Sequence, residues 1–294
     1  MNQIATVGAD VPQDLLAATG RYAGPLGWNV DRATPRADAW LESKYAPWAF
    51  SILQDWADGA FDHLDAVVFS RGDDNAQRLY YYICELQRRG LVAGPEALIF
   101  DVTRIVRESS ADRMIASVRQ LAARLDVDDA ALERGIAEVN GRRGQAGQTL
   151  PSPVCLLAGT PPPDRRIHAM IESAGWNAVG DTLAQAWQNP GALVAQGTGD
   201  PAAAIGQQLH GELSGPRAFF DRAGGVMVQA QASGAGAVVL WFTEDDEAAV
   251  WHVPQQRAAL EAAGIPALVL TRCDWRANDG VDAQIAAFLA GVAK

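Results

Sequence analysis

The stretch Ala66 to Gly90, AVVFSRGDDNAQRLYYYICELQRRG, runs an apolar strand straight into a polar turn and then into an amphipathic helix. That order of events admits few folds. Ala66-Val67-Val68-Phe69 is a continuous apolar run, the pattern of a strand covered on both faces in a parallel sheet. Arg71 to Asn75 is turn chemistry, with Asp and Asn oxygens suited to a helix N-cap. Leu79, Tyr82, Ile83 and Leu86 follow at helical spacing, and Gly90 stops the helix. The design recurs at Ala237 to Ala248, where AVVLWF is followed by TEDDEA.

The rest of the chain alternates in the same way. Met1 to Val7 is short and gives no clear pattern, whereas Val11 to Gly20 reads as a short helix with Pro12 at its start. Tyr22 to Val30 reads as a strand and its turn, and Pro35 to Asp58 as two helices broken at Pro47. Glu96 to Asp101 reads as a strand, and Ser110 to Asn140 as helical. Gly141 to Pro153 is rich in Gly, Gln, Arg and Pro and is the best domain boundary, giving an N-terminal lobe with long linking helices over 1–148 and a C-terminal lobe over 149–294. In the second half, strands are expected at Val154–Ala158, around NAVGD with Asp181 at its end, at Gly236–Phe242 and at Ile265–Leu270. Helices are expected before Gly175, over Pro201–Leu209, Phe219–Ser233, Ala248–Ala263 and Asp282–Val292, with 186–198 irregular. The expected class is α/β, two lobes that are each a mostly parallel sheet wrapped by helices.

Charge narrows the partners. The 294 residues carry a net charge of −11 with no stripe of Lys and Arg, so neither nucleic acid nor an anionic membrane is expected as a partner. Apolar runs are strand-sized, far short of the roughly 20 residues that span a bilayer. Met1-Asn2-Gln3 opens no signal peptide, and a cytoplasmic protein is expected. Cys84, Cys155 and Cys273 are odd in number and lack CxxC spacing, so buried thiols are expected rather than disulfides or a zinc site.

Local motifs are sparse. Gly159-Thr160-Pro161 follows a strand, but neither the dinucleotide fingerprint nor the P-loop pattern is present, and the prolines remove donors that a phosphate cradle needs. His63, His168, His210 and His252 are scattered. Asp73-Asp74 and Glu244-Asp245-Asp246 read either as oxygen ligands meeting across a cleft or as helix caps and solvated turns.

The order of these pieces resembles the 2-hydroxyacyl-CoA dehydratase and benzoyl-CoA reductase subunit family, and within it 2-hydroxyglutaryl-CoA dehydratase component D. The resemblance is carried by VPQDLLAATGRYAGPL, DHLDAVVFSRGDDNAQRLYY, PVCLLAGTPPPD with IESAGWNAVGD, and GAVVLWFTEDDEAAVWHVPQQRAALEAAGIPALVL with AQIAAFL, over nearly the whole chain. It implies two Rossmann-like or flavodoxin-like lobes facing across a cleft, heterodimer formation, an acyl-CoA thioester ligand and a [4Fe-4S] cluster. The family's three cluster cysteines fall here on Ala46, on Asp73 and within Glu244-Asp245-Asp246, none of them cysteine. Iron–sulfur clusters need thiolates, so no cluster is expected in this chain, though one is possible in a partner subunit.

Three readings follow. The chain is an atypical subunit that shares an acyl-CoA site with a cluster-bearing sister. Alternatively it is a repurposed, redox-independent enzyme working through cleft carboxylates, or it is a non-catalytic binding or scaffold protein, paired with a sister or with itself. By position at expected strand ends, Asp73, Asp74 and Glu244 are the candidate catalytic residues. Ser70, Thr160, Asp181 and Arg217 are candidate substrate-binding residues, Arg217 as an anion partner or as one half of a surface salt bridge. Trp48 and Trp241 are expected to wall the cavity that a cluster would have filled.

Overall fold

The computed structural model describes residues 3–103, 105, 107–143, 151–212 and 220–292. The chain folds into two compact units, one of Met1–Ala146 with Trp187–Phe219 and one of Gly147–Ala186 with Phe220–Lys294. Each is built on a four-stranded, all-parallel sheet wrapped by helices.

In unit 1 the elements run β1 (Gln3–Val7), α1 (Gln13–Ala18), β2 (Tyr22–Pro25), α2 (Pro35–Asp38), α3 (Pro47–Ala57), β3 (Leu64–Ser70), α4 (Asp74–Arg88), β4 (Glu96–Phe100), α5 (Glu108–Arg124) and α6 (Asp129–Arg143). The strand order is β2-β1-β3-β4. Alternation along β3 explains the layers. Val68 points into a core with Leu15, Met114, Val118 and Ile136, and so faces α1, α5 and α6. Phe69 points the other way, onto Trp56 of α3 and Tyr80 of α4.

Unit 2 contains β5 (Val154–Gly159), α7 (Arg166–Ser173) and β6 (Asn177–Val179), after which α8 (Leu183–Gln188) leads out and α9 (Pro201–Gly211) packs on unit 1. The chain returns through α10 (Arg222–Ser233), β7 (Ala237–Thr243), α11 (Glu247–Val250), α12 (Val253–Ala262), β8 (Ala267–Cys273) and α13 (Val281–Gly291). The order β6-β5-β7-β8 repeats that of unit 1. Trp241 and Val239 face Ile167, Ile171, Ile285 and Leu289 of α7 and α13. Val238, Leu240 and Phe242 face Val226, Ala230 and Leu260 of α10 and α12.

Several expectations change in detail. Met1–Val7, which gave no clear pattern, contains a strand that is central to its sheet. The helical stretch 110–140 divides into two helices, parted where Asp126 takes φ +57° and Asp128 caps the next helix by accepting from the Ala131 amide at 2.7 Å. Ala248–Ala263 is also two helices, because Pro254 lacks an N–H and fits only the first turn of α12. Trp187–Phe219 groups with unit 1, and its described part, 187–212, is tied there by polar contacts. Arg143 pairs with Asp14 in a bidentate bridge at 2.6 and 2.8 Å and donates to the Pro190 carbonyl, Gln13 donates to the Trp187 carbonyl, and Asn140 both donates to and accepts from the Val194 backbone. Val194, Ile205 and Leu209 then complete the core against α5 and α6.

Candidate functional site

In an open parallel sheet the ligand crevice lies past the carboxyl ends of the strands, where the strand order reverses. In unit 1 that point is between β1 and β3. β1 is followed by Gly8-Ala9-Asp10, and β3, ending at Ser70, by Arg71-Gly72-Asp73. Gly8 has φ +90°, and a Cβ there would sit 3.0 Å from the Cβ atoms of Ser70 and Ala76, so its bare backbone is what lets the first turn of α4 close against β1. Ser70 is fully buried and its Oγ accepts from the Gly72 amide at 3.0 Å. Asp73 is the N-cap of α4, its Oδ1 accepting from the Asn75 and Ala76 amides at 2.8 and 3.0 Å. Asp74, one residue further, is exposed.

Asp10 was not anticipated as a site residue. It adopts φ +66°, and its Oδ2 would lie 3.1 Å from a Cβ placed on Gly72, so it stands beside Ser70 and Gly72 at the reversal point. A non-glycine residue held in this region costs of order 1–3 kcal/mol and persists where its surroundings impose it. The only sequence signal was a small-residue turn after QIATV, legible once β1 is known to be a strand.

Asn75 links two positions that the family resemblance had singled out separately. Its Oδ1 accepts from the Ala46 amide at 2.9 Å, while its own amide donates to Asp73. Trp48, in the first turn of α3, is buried in a ring cluster, packed edge-on against Trp187 at 4.8 Å, which also meets Trp28 at 5.1 Å. Trp48 therefore has protein, not open space, on that side. Next to the crevice, Arg71 and Arg113 share Asp101, at 3.2 Å and at 2.8–3.1 Å.

In unit 2 the equivalent point lies between β5 and β7. Thr160 follows β5, and its Oγ1 donates to Asp246 Oδ2 at 2.7 Å, tying the ends of the two strands together. Asp246 Oδ1 also caps α11 through the Ala249 amide. Burial pushes the Asp245 carboxyl up, and the negative charges of Asp246 and Glu244 add to it. Burial pulls the Arg222 guanidinium down while Asp246 draws it back up, so these two charges interact across the edge. Glu244 is exposed and reaches Arg272 at 3.6 Å, a loose surface contact. Trp241 lies wholly inside the core shared with α7 and α13, its indole N–H without an acceptor among the described residues. Asp181 follows β6, where desolvation raises its carboxyl and the nearby His168 lowers it. Arg217 lies outside the described residues.

The two edges thus carry Ser70, Asp73 and Asp74 in unit 1 and Thr160, Asp181 and Glu244 in unit 2, with Asp10 as a member that the sequence reading did not name and Asp245 and Asp246 as members it named only within the Glu244-Asp245-Asp246 run. Chemically, each offers hydroxyls, carboxylates and backbone amides. Asp245, holding its proton to higher pH than an ordinary aspartate, is suited to donate one.

An iron–sulfur cluster does not fit this donor set. Ala46 offers no ligand and Asp73 spends one oxygen on its helix cap. Burial pushes the Cys84 thiol up, Cys155 to about 12 and, with the Asp279 charge adding to it, Cys273 to about 11, the reverse of the thiolates a cluster requires. Among the described residues no three of His, Cys, Asp and Glu are grouped so as to hold a metal ion. No helix among them is long and apolar enough to cross a membrane. No protein-family model matches the chain, and no curated protein is significantly similar to it.

Proposed function

We propose that this chain is a cluster-free member of the 2-hydroxyacyl-CoA dehydratase and benzoyl-CoA reductase subunit family, a cytoplasmic protein that contributes part of an acyl-CoA site beside a cluster-bearing sister subunit. The observation that carries the reading is the pairing of Ala46 and Asp73 through Asn75 at one sheet edge. Two positions assigned to cluster ligands by resemblance alone, 27 residues apart in the chain, belong to one local network. Their side chains have changed from thiols to a methyl and a helix-capping carboxylate. In this role the chain's own residues bind and orient: Ser70 and Thr160 offer hydroxyls, and backbone amides at the strand ends offer donors to a thioester or carboxylate oxygen.

Isothermal titration of the chain, alone and with the products of its neighbouring genes, against a set of acyl-CoA thioesters tests this. The expected outcome is a complex that binds a thioester more tightly than either component. Failure of the chain to join any neighbour contradicts the reading.

The raised Asp245 carboxyl, between Glu244 and Asp246 at the sheet edge of unit 2, favours a second reading, a redox-independent acid–base enzyme acting on an acyl or carboxylic substrate. Turnover by the isolated chain, lost in D245N, distinguishes it from a subunit that works only in a complex, and binding without turnover in either form points to a non-catalytic scaffold.

A further inference from the structure

His168, on α7 of unit 2, has no part in the site chemistry above, yet it is the one histidine with no solvent exposure. Its Nε2 lies 2.8 Å from the carbonyl oxygen of Gly180, on the turn that leaves β6. A carbonyl only accepts, so Nε2 carries the proton and Nδ1 is the bare nitrogen of a neutral ring. Nδ1 is itself buried and has no hydrogen-bond partner among the described residues. The same turn is also held by the Thr182 N–H and hydroxyl, which both donate to Gln185 Oε1 at 2.9 Å, and by the Leu183 N–H, which donates to the Pro162 carbonyl at 2.8 Å.

We propose that His168 is a proton-gated latch on this turn: the neutral ring pins Gly180 and with it Asp181, and a proton on Nδ1 releases them. A proton there would place a donor and a charge in a site with nothing to accept either, an arrangement that burial disfavours strongly. The groups around the ring do not supply the missing partner. The Gly180 bond itself favours a charged ring, as do Glu172 on α7 and Asp181 on the turn, and Arg165 at the N-cap of α7 opposes it, but burial is the largest influence and holds the ring below its ordinary range. The elements packed on α7 offer Ile285 and Leu289 from α13 and Leu157 and Cys155 from β5, and the Cys155 thiol, pushed up to about 12, does not titrate near neutrality. Asp282, in the first turn of α13, is exposed.

The sign follows from linkage. With the turn open the ring is solvated and takes its proton near 6.5, whereas with the turn closed it stays neutral to lower pH. Acidification therefore favours the open turn, beginning as pH falls through about 6.5 and levelling off below the lowered value of the closed form. The inference does not depend on the acyl-CoA reading, since it concerns the closure of a turn and not what binds beside it.

Hydrogen exchange of the Thr182 and Leu183 amides at pH 7.5 and 5.0, corrected for intrinsic rates, tests the latch. The opening of these amides is expected to increase several-fold at pH 5.0, with a ceiling of about 30-fold set by one proton taken up near 6.5. The amides of β7 in the same unit serve as the control for global unfolding. In H168Q, whose amide keeps a donor for Gly180 but takes no proton, the turn is expected to stay closed at both pH values. An unchanged opening in the natural protein, or the same acceleration in H168Q, overturns the proposal. If H168Q does not fold, long-range histidine NMR spectra of the natural protein decide: the latch requires the Nε2–H tautomer at pH 7, and a charged ring or an Nδ1–H tautomer there overturns it.

Discussion

Asp73 holds the first turn of α4 through Oδ1, so two substitutions there separate its structural part from its charge. D73A removes the cap and is expected to destabilise the protein by about 0.5–2 kcal/mol in urea unfolding, while D73N keeps an accepting oxygen and should remain near the natural value. Any loss of ligand binding in D73N then reports on the carboxylate itself. Asp14 and Arg143 form a bond of another kind. Both side chains are almost entirely buried, at 2 % and 3 % exposure, and neither charge has water to fall back on. R143M strands Asp14 and is expected to cost about 3–5 kcal/mol, whereas the double variant D14L/R143M, with no charge left unpaired, should recover much of the loss. The sequence marked Asp73 because it lies in an obvious strand-turn-helix passage. It did not mark Asp10 or the Asp14–Arg143 pair, since the first depends on a backbone twist and the second joins residues 129 positions apart.

At the scale of elements, the long apolar strands were plain from their runs of Val, Leu and Phe, and β3 and β7 begin and end close to where those runs do. β1 was missed because QIATV is five residues with polar Gln and Thr among them; its burial comes from neighbours on both sides, which no local pattern records. The docking of α9 was likewise invisible, since it rests on two helices, α5 and α9, meeting at a residue without a side chain. A Cβ on Gly206 would lie 2.7 Å from the Ile115 Cα, closer than real contacts allow. G206A is therefore expected to push α9 off α5 at a cost of about 1–3 kcal/mol and to expose the 187–212 segment. Limited proteolysis should cut that segment in G206A under conditions that leave the natural protein whole.

For the molecule as a whole, two sheets of the same strand order each set their carboxyl ends with hydroxyls and acids. The alternation of strands and helices along the chain was enough to read this architecture. The function was not: under the proposed reading it turns on ligands that the sequence lacks, and the residue types at Ala46 and Asp73 carry no chemistry that names a substrate. If the thiolate positions have been given up here and kept in a sister subunit, iron must follow the sister. Iron and acid-labile sulfide should therefore be measured on anaerobically purified protein, once for this chain alone and once for its complex with the products of its neighbouring genes. The account predicts a colourless chain with neither element and a brown complex with both. Stoichiometric iron and sulfide in the isolated chain, or no complex at all, would contradict it.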